Sequence, residues 1–183
     1  MAFPRSLVYF LLQFFLLLCI EKSQAVECHP PPGEPLIREV CEDSQHYDLC
    51  VSSLKADPRA SQVCFNRMGP AVVSIVRNNA TDTRNYVYLL LHQATNPAAK
   101  ACLTTCYQNY NLAVRDLRTA VKESKDYDQF VSVLNRLSQA KSNATECENG
   151  FKKGVVVSPL TRRNRNVIQL ADIAFDIISD LMV

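Results

Sequence analysis

The residues best able to do chemistry in this 183-residue sequence are its eight cysteines. Cys19 lies in an apolar N-terminal stretch, and seven others follow it. None of them forms a Cys-x-x-Cys pair, and the histidines are scattered, so we expect neither a metal nor a cofactor. Cysteines in this number favour disulfides in an oxidising compartment, and an odd count leaves at least one without a partner in the chain. The seven are Cys28, Cys41, Cys50, Cys64, Cys102, Cys106 and Cys147.

Catalytic groups are not indicated. Asp126 and Asp128 flank Tyr127, but paired carboxylates in a turn usually cap a helix or face solvent. Four glycines supply no glycine-rich phosphate loop. A Ser–His–Asp set need not be adjacent in sequence, yet no residues stand out as one. The sequence therefore predicts a protein that is not an enzyme.

The first 25 residues predict secretion. Arg5 precedes an apolar run over 7–20, and the small-residue pattern that ends at Ala25 is typical of signal-peptidase cleavage. A membrane anchor is the alternative, but the run is short for a span of about 20 residues. We expect residues 1–25 to be removed, leaving a soluble extracellular or vacuolar protein. The small net charge of the whole sequence, +2, gives no reason to expect nucleic acid or membrane binding.

Two Asn-x-Thr sequences are candidate N-glycosylation sites, at Asn79 and Asn143. Asn79 lies in a polar stretch over 78–85 that is weakly helical by pattern, which favours an exposed position. Ala144 belongs to an apolar stripe, so Asn143 beside it is expected to be less accessible.

Apolar residues at steps of three and four predict that the chain is all-α. The clearest segment, 98–117, begins after Pro97, a residue suited to a first helical turn. Further long helices are predicted at about 58–94 with a kink at Gly69-Pro70, from Asp126 to about Gly150, and at about 160–181. Two short helices over 35–56 precede them. Short connections make sequential helices antiparallel neighbours, so we expect a helical bundle behind a small hairpin.

This arrangement suggests two disulfides. Cys41 and Cys50, with eight residues between them, could close the hairpin. Antiparallel packing places Cys106, near the start of its helix, opposite Cys147, near the end of the next. Closing that loop of about 40 residues should contribute roughly 4 kcal/mol.

The remaining cysteines are less constrained. Cys102 and Cys106 lie one turn apart, with Cβ atoms about 5–6 Å apart against the 3.5–4.5 Å that a disulfide prefers. A Cys64–Cys102 disulfide is one option. The other is that both are small buried side chains. An exposed unpaired cysteine would allow a disulfide-linked dimer of an otherwise monomeric protein.

In order and spacing, these residues resemble the plant invertase and pectin methylesterase inhibitors, and particularly the proposed invertase inhibitors described among pollen allergens. The resemblance covers almost all of residues 26–183. It rests on Cys41 and Cys50, on Cys106 followed by Tyr110, Ala113, Val114 and Leu117, on Ser138, Ala140 and Cys147-Glu148-Asn149-Gly150-Phe151, and on Ser158, Pro159 and Asn166.

The resemblance implies an up-and-down four-helix bundle, at about 58–182, after an N-terminal helical hairpin, at about 35–56. It also implies the pairs Cys41–Cys50 and Cys106–Cys147. Proteins of this family are secreted, have no catalytic activity, and bind and block an invertase or a pectin methylesterase. The expected partner is therefore a carbohydrate-active enzyme.

Some invertase inhibitors use a Pro-Lys-Phe element at the corner between the second and third bundle helices. This chain has Lys125-Asp126-Tyr127-Asp128-Gln129-Phe130 there, without that tripeptide. We predict Asp126, Tyr127, Asp128 and Phe130 as target contacts. The stretch over 152–164 resembles invertase inhibitors, which favours an invertase target. The alternatives are a pectin methylesterase, or a secreted helical protein with another ligand.

One basic cluster stands out, formed by Lys152, Lys153, Arg162, Arg163 and Arg165. Such a run is usually a solvated loop. The alternative is that it faces an acidic target surface.

Overall fold

The computed structural model describes Cys28 and residues 30–183, so the predicted signal peptide lies outside the described residues. Within them the chain forms seven α-helices and no strand. The helices are α1 Glu34–Cys41, α2 Tyr47–Ala56, α3 Pro58–Ser61, α4 Gly69–Gln93, α5 Pro97–Glu123, α6 Phe130–Lys153 and α7 Thr161–Asp180, with 3₁₀ turns at Phe65–Arg67 and Tyr127–Gln129. None of the described helices combines the length and apolarity that crossing a membrane requires.

Helices α4 to α7 form an antiparallel four-helix bundle. Helix α5 packs against α4 and α6, and α7 closes the bundle by packing against α6 and α4. Each helix contributes one apolar stripe to a single core, since residues three and four apart share a helix face. This confirms the predicted all-α fold. The core includes Val72, Val76, Val87, Cys106, Tyr110, Leu117, Val133, Leu137, Phe151, Val167, Leu170 and Ile178.

The predicted helix over 58–94 is wrong at its start, because the structure divides it. Helix α3 ends at Ser61, and Cys64 has an extended backbone. The long helix α4 then begins at Gly69 with Pro70 in its first turn, so Pro70 starts a helix rather than kinking one. The polar stretch over 78–85 is helical. Thr83 within it is buried, and the Thr83 hydroxyl donates a hydrogen bond to the Asn79 carbonyl at 2.9 Å.

Helices α1 and α2 form the predicted hairpin, joined by the Cys41–Cys50 disulfide. The hairpin packs on the outer face of the second half of α7. Its His46 lies 3.3 Å from the Gln169 amide nitrogen and 4.0 Å from an Asp172 carboxylate oxygen. The hairpin therefore covers the part of α7 that the bundle itself leaves open.

A second disulfide, Cys106–Cys147, joins α5 to α6 inside the core. Both pairs are the ones that the family resemblance implies. The third disulfide joins Cys28 to Cys64 and overturns the suggested Cys64–Cys102 bond. The physical reason is distance along the bundle. Cys64 precedes α4 at one end, whereas the Cys102 thiol lies 3.5 Å from the Gly150 carbonyl oxygen at the other.

Cys102 is the one free cysteine among the described residues, and it is buried. The thiol donates to a backbone carbonyl within the same chain rather than facing solvent. Cys102 therefore gives no route to the disulfide-linked dimer that an exposed cysteine would have allowed.

Candidate binding site at the α5–α6 corner

The corner between α5 and α6, residues 124–130, contains all four predicted target contacts. Residues 125–129 are exposed, whereas Ser124 and Phe130 at its two edges are buried. The Asp126 carboxylate accepts a hydrogen bond from the Asp128 backbone N–H at 3.2 Å, and so caps the 3₁₀ turn that leads into α6. The Asp126 carboxylate therefore shapes the turn, and Asp126 and Asp128 are both exposed.

Tyr127 is the most prominent side chain of the corner. It is 59% exposed, yet it is held in place at both ends. Its hydroxyl donates to the Met182 carbonyl at 2.8 Å, and its ring lies 5.5 Å from that of Phe130 in a tilted arrangement. Phe130 itself is only 6% exposed, and its contact with a target stays a prediction. Phe130 faces the core at the first turn of α6 and supports Tyr127 from below.

A close approach of α4 fixes the back of the corner. A Cβ atom placed on Gly69 would lie 2.9 Å from the Ser124 carbonyl oxygen and 3.2 Å from the Ile178 side chain. Real Cβ contacts are almost never that short, so only glycine lets the N-terminus of α4 approach the end of α5 here. The sequence signal for this contact is the Gly69-Pro70 pair, which by pattern alone predicts a kink.

An ion pair ties the end of α5 to the start of α6. The Arg136 guanidinium donates to both oxygens of Glu123, at 2.7 and 3.1 Å, and the Ser132 hydroxyl donates to the same carboxylate at 3.1 Å. Hydrogen bonding from Arg136 lowers the pKa of Glu123. Bidentate arginine–carboxylate pairs restrict orientation as well as distance, so this contact sets the angle at which the chain turns.

A groove of about 340 Å³ runs beside Tyr127. Parts of the chain that are far apart in sequence line it, which is why sequence reasoning missed Arg67 and Leu181. The exposed residues Arg67, Lys125 and Tyr127 all contribute to it. Its full lining is Asn66, Arg67, Pro70, Ser124, Lys125, Tyr127, Phe130 and Leu181.

The motif around Cys147 has a structural role. The Glu148 carboxylate accepts hydrogen bonds from Ser158 at 2.9 Å, Thr161 at 2.7 Å and Asn164 at 2.7 Å. Burial opposes the charge of Glu148, but these hydrogen bonds outweigh it and lower its pKa. Asn164 in turn accepts from the buried Tyr110 hydroxyl at 2.8 Å. This network joins α5, α6 and α7 next to the Cys106–Cys147 disulfide.

The basic cluster lies at the far end of the bundle from the corner. Lys152, Lys153, Arg162 and Arg165 are exposed around the α6–α7 loop. The 24 residues of α6 separate that loop from the corner, a distance of about 36 Å. Arg163 is an exception within the cluster, since its guanidinium lies 4.3 Å above the Tyr86 ring. The cluster and the corner are therefore two separate surfaces.

The structure does not support Asn143 as a glycosylation site. Asn143 is only 3% exposed, and its amide nitrogen, to which a glycan would attach, is buried without a hydrogen-bond partner among the described residues. A glycan there would have to displace the packed interface of α6. Asn79 is half-buried on α4 and remains a predicted site.

In the described part of the chain, no group of three or more histidine, cysteine or acidic side chains is placed to hold a metal ion. What the fold offers instead is a rigid, exposed corner on a disulfide-linked four-helix bundle. That combination is typical of a protein that acts by binding another protein.

Comparison with known proteins agrees with this class. The sequence pattern of the plant invertase/pectin methylesterase inhibitor family matches residues 35–177, and the chain belongs to that family. It is accordingly an enzyme inhibitor and not an enzyme.

Some relatives are named as invertase inhibitors and others as pectinesterase inhibitors. A "Putative invertase inhibitor" from Platanus acerifolia is 29% identical over 133 residues, which cover 72% of this chain and 74% of the relative. A pectinesterase inhibitor from Actinidia deliciosa is 30% identical over 117 residues, or 64% of this chain and 63% of the relative.

The fold is also similar to a solved structure. The crystal structure of mutant form A of a pectin methylesterase inhibitor from Arabidopsis superposes with a TM-score of 0.66 at 16% identity. The match covers 76% of this chain and 93% of that one. At this identity the likeness concerns the fold alone.

Proposed function

We propose that this protein is a secreted inhibitor of an invertase and that Tyr127 anchors its contact with the target. The Platanus relative and the 152–164 stretch support an invertase target. Two further relatives from Arabidopsis thaliana are named cell wall / vacuolar inhibitors of fructosidase, which supports action outside the cell or in the vacuole. Residues 26–183 are the proposed mature domain.

The observation that carries the proposal is the geometry of Tyr127. An exposed aromatic ring held by a hydrogen bond and by a buried ring beneath it loses little conformational freedom on binding. Tyrosine is also among the residues that most often dominate interface energies. The adjacent groove, bordered by Arg67 and Lys125, offers a place for a side chain of the target. Asp126 and Asp128, which flank Tyr127 in sequence and are exposed, are the proposed polar contacts.

The test is inhibition of a purified invertase by the secreted chain, expressed with its own N-terminal segment so that the start of the mature protein can be sequenced. Tyr127→Ala should raise the inhibition constant on the order of tenfold or more, as for an interface anchor. Tyr127→Phe keeps the ring and should change it far less. Tyr88→Ala, an exposed tyrosine on α4 at the far end, is the matched control and should leave inhibition unchanged.

A pectin methylesterase is the second candidate target, since the Actinidia relative and the Arabidopsis neighbour carry that name. The same variants should be measured against both enzymes. Inhibition of the esterase alone would replace the invertase proposal, and equal effects of Tyr88→Ala and Tyr127→Ala would overturn the role of the corner. If neither enzyme is inhibited, both proposed targets are refuted, and the remaining function is binding to another partner.

A further inference from the structure

The end of the bundle opposite the corner carries exposed cations that form no ion pair among the described residues. We call it the basic end and define it by Lys100, Lys152, Lys153, Arg162 and Arg165. Seven ion pairs occur among the described residues, and none involves these five side chains. All five are exposed. Their charge is therefore available to a partner.

Acidic residues are scarce around this end. In the direction of the basic end, α4 has no acidic residue after Asp82, α5 none before Asp116, and α7 none before Asp172. Helix α6 supplies Glu146 and Glu148, but the Glu148 carboxylate already accepts three hydrogen bonds within the chain. The electrostatic potential around this end is therefore positive, although the whole chain is nearly neutral.

Aromatic rings lie on the α4 and α5 side of the same half of the bundle. Tyr88 on α4 is exposed, and its ring centre is 4.2 Å from that of His92 and 5.8 Å from that of Tyr107 on α5. Lys100 and Tyr107 are seven residues apart on α5 and so share a helix face. The side of the bundle next to Lys100 thus presents aromatic surface and positive charge together.

From this combination we propose that the basic end binds an acidic polysaccharide, meaning a linear chain of sugar rings that carry carboxylates. The exposed cations would attract the repeated carboxylates, and the apolar C–H faces of the sugar rings would stack on the aromatic surface. An anionic membrane fits less well, because membrane binding needs a broad apolar face and the exposed apolar residues of the adjoining loop are limited to Val155 and Val157.

The proposal goes beyond enzyme inhibition and does not depend on which enzyme is the target. The basic end and the corner lie at opposite ends of helices that are about 36 Å long. A polymer bound at one end would leave Tyr127 free. The protein could therefore be held on a polysaccharide matrix while its corner engages an enzyme.

Binding of the secreted protein to polygalacturonate, measured by calorimetry at low and physiological ionic strength, tests this inference. The variant Lys152→Gln/Lys153→Gln/Arg162→Gln/Arg165→Gln should bind on the order of tenfold or more weakly. The matched control changes four cations nearer the corner, Arg67→Gln/Arg118→Gln/Lys122→Gln/Lys125→Gln, and should bind as the unmodified protein does. Thermal unfolding verifies that both variants fold.

Two further measurements test the roles of the polymer carboxylates and of the aromatic surface separately. Fully methyl-esterified polygalacturonan lacks the carboxylates and should not bind, and Tyr88→Ala should weaken binding several-fold. Equal losses in the two quadruple variants would overturn the proposal, since they would reflect net charge alone. It would equally be overturned by absence of polygalacturonate binding, whether or not vesicles containing phosphatidylserine bind.

Discussion

Replacing Val155 by glycine is expected to stabilise the fold. Helix α6 ends in a pair of hydrogen bonds, from the Val156 N–H to the Phe151 carbonyl at 3.1 Å and from the Val155 N–H to the Lys152 carbonyl at 3.2 Å. This pattern is a Schellman motif, in which the residue before the last one, C′, has a left-handed backbone and is usually glycine. Here a β-branched valine occupies it, with φ of 52°.

The magnitude follows from the conformation and the exposure of the residue. A left-handed backbone costs an L-residue roughly 1–2 kcal/mol, a penalty that glycine does not carry. Glycine loses about 0.5–1 kcal/mol more conformational entropy on folding, which offsets part of that gain. The Val155 side chain is 93% exposed, so little burial is lost. The expected net stabilisation is about 0.5–1 kcal/mol.

Urea unfolding without reductant measures this difference, and a rise in melting temperature of about 1–4 °C should accompany it. Val157→Gly is the matched control, because Val157 is equally exposed and its φ is not positive. That variant should be neutral or slightly destabilised. The reasoning would be refuted if Val155→Gly were no more stable than the unmodified protein, or if Val157→Gly gained as much.

The corner and the disulfide give three further predictions. Gly69→Ala forces a Cβ to within 2.9 Å of the Ser124 carbonyl oxygen, so it should lower stability by about 1–3 kcal/mol and weaken inhibition, with thermal unfolding and inhibition assays as readouts. The pKa of Glu123 is lowered in the folded state. The Glu123 carboxylate therefore stabilises the fold at pH values above the pKa it has in the unfolded chain, and this stabilisation is lost as the pH falls through its pKa in the folded state. Glu123→Gln should therefore flatten the acid limb of a stability–pH profile, and an unchanged profile would contradict the assigned ion pair. The double variant Cys106→Ala/Cys147→Ala opens a loop of 41 residues and should lose about 4 kcal/mol, seen as a lower urea midpoint. A midpoint equal to that of the unmodified protein would exclude a stabilising role for this disulfide.

Local periodicity determined most of the bundle. In α5 the apolar residues repeat at helical steps without interruption, so the face that carries Cys106 and Tyr110 could be assigned before any contact was known. Short connections then required antiparallel neighbours, which placed Cys147 opposite Cys106. These features depend on spacing along the chain, and spacing is visible in the sequence.

Positions that depend on close approach between distant segments were decided only by the tertiary structure. Phe130 lies at the corner in sequence, yet packing turns it inward and leaves Tyr127 as the exposed ring. Gly154 directly follows α6 with a right-handed backbone, and a Cβ there would lie 3.0 Å from the Cys102 sulfur. The left-handed position falls one residue later, on Val155. Sequence shows which residues favour a conformation, whereas the neighbours that compete for space are known only when the helices are packed.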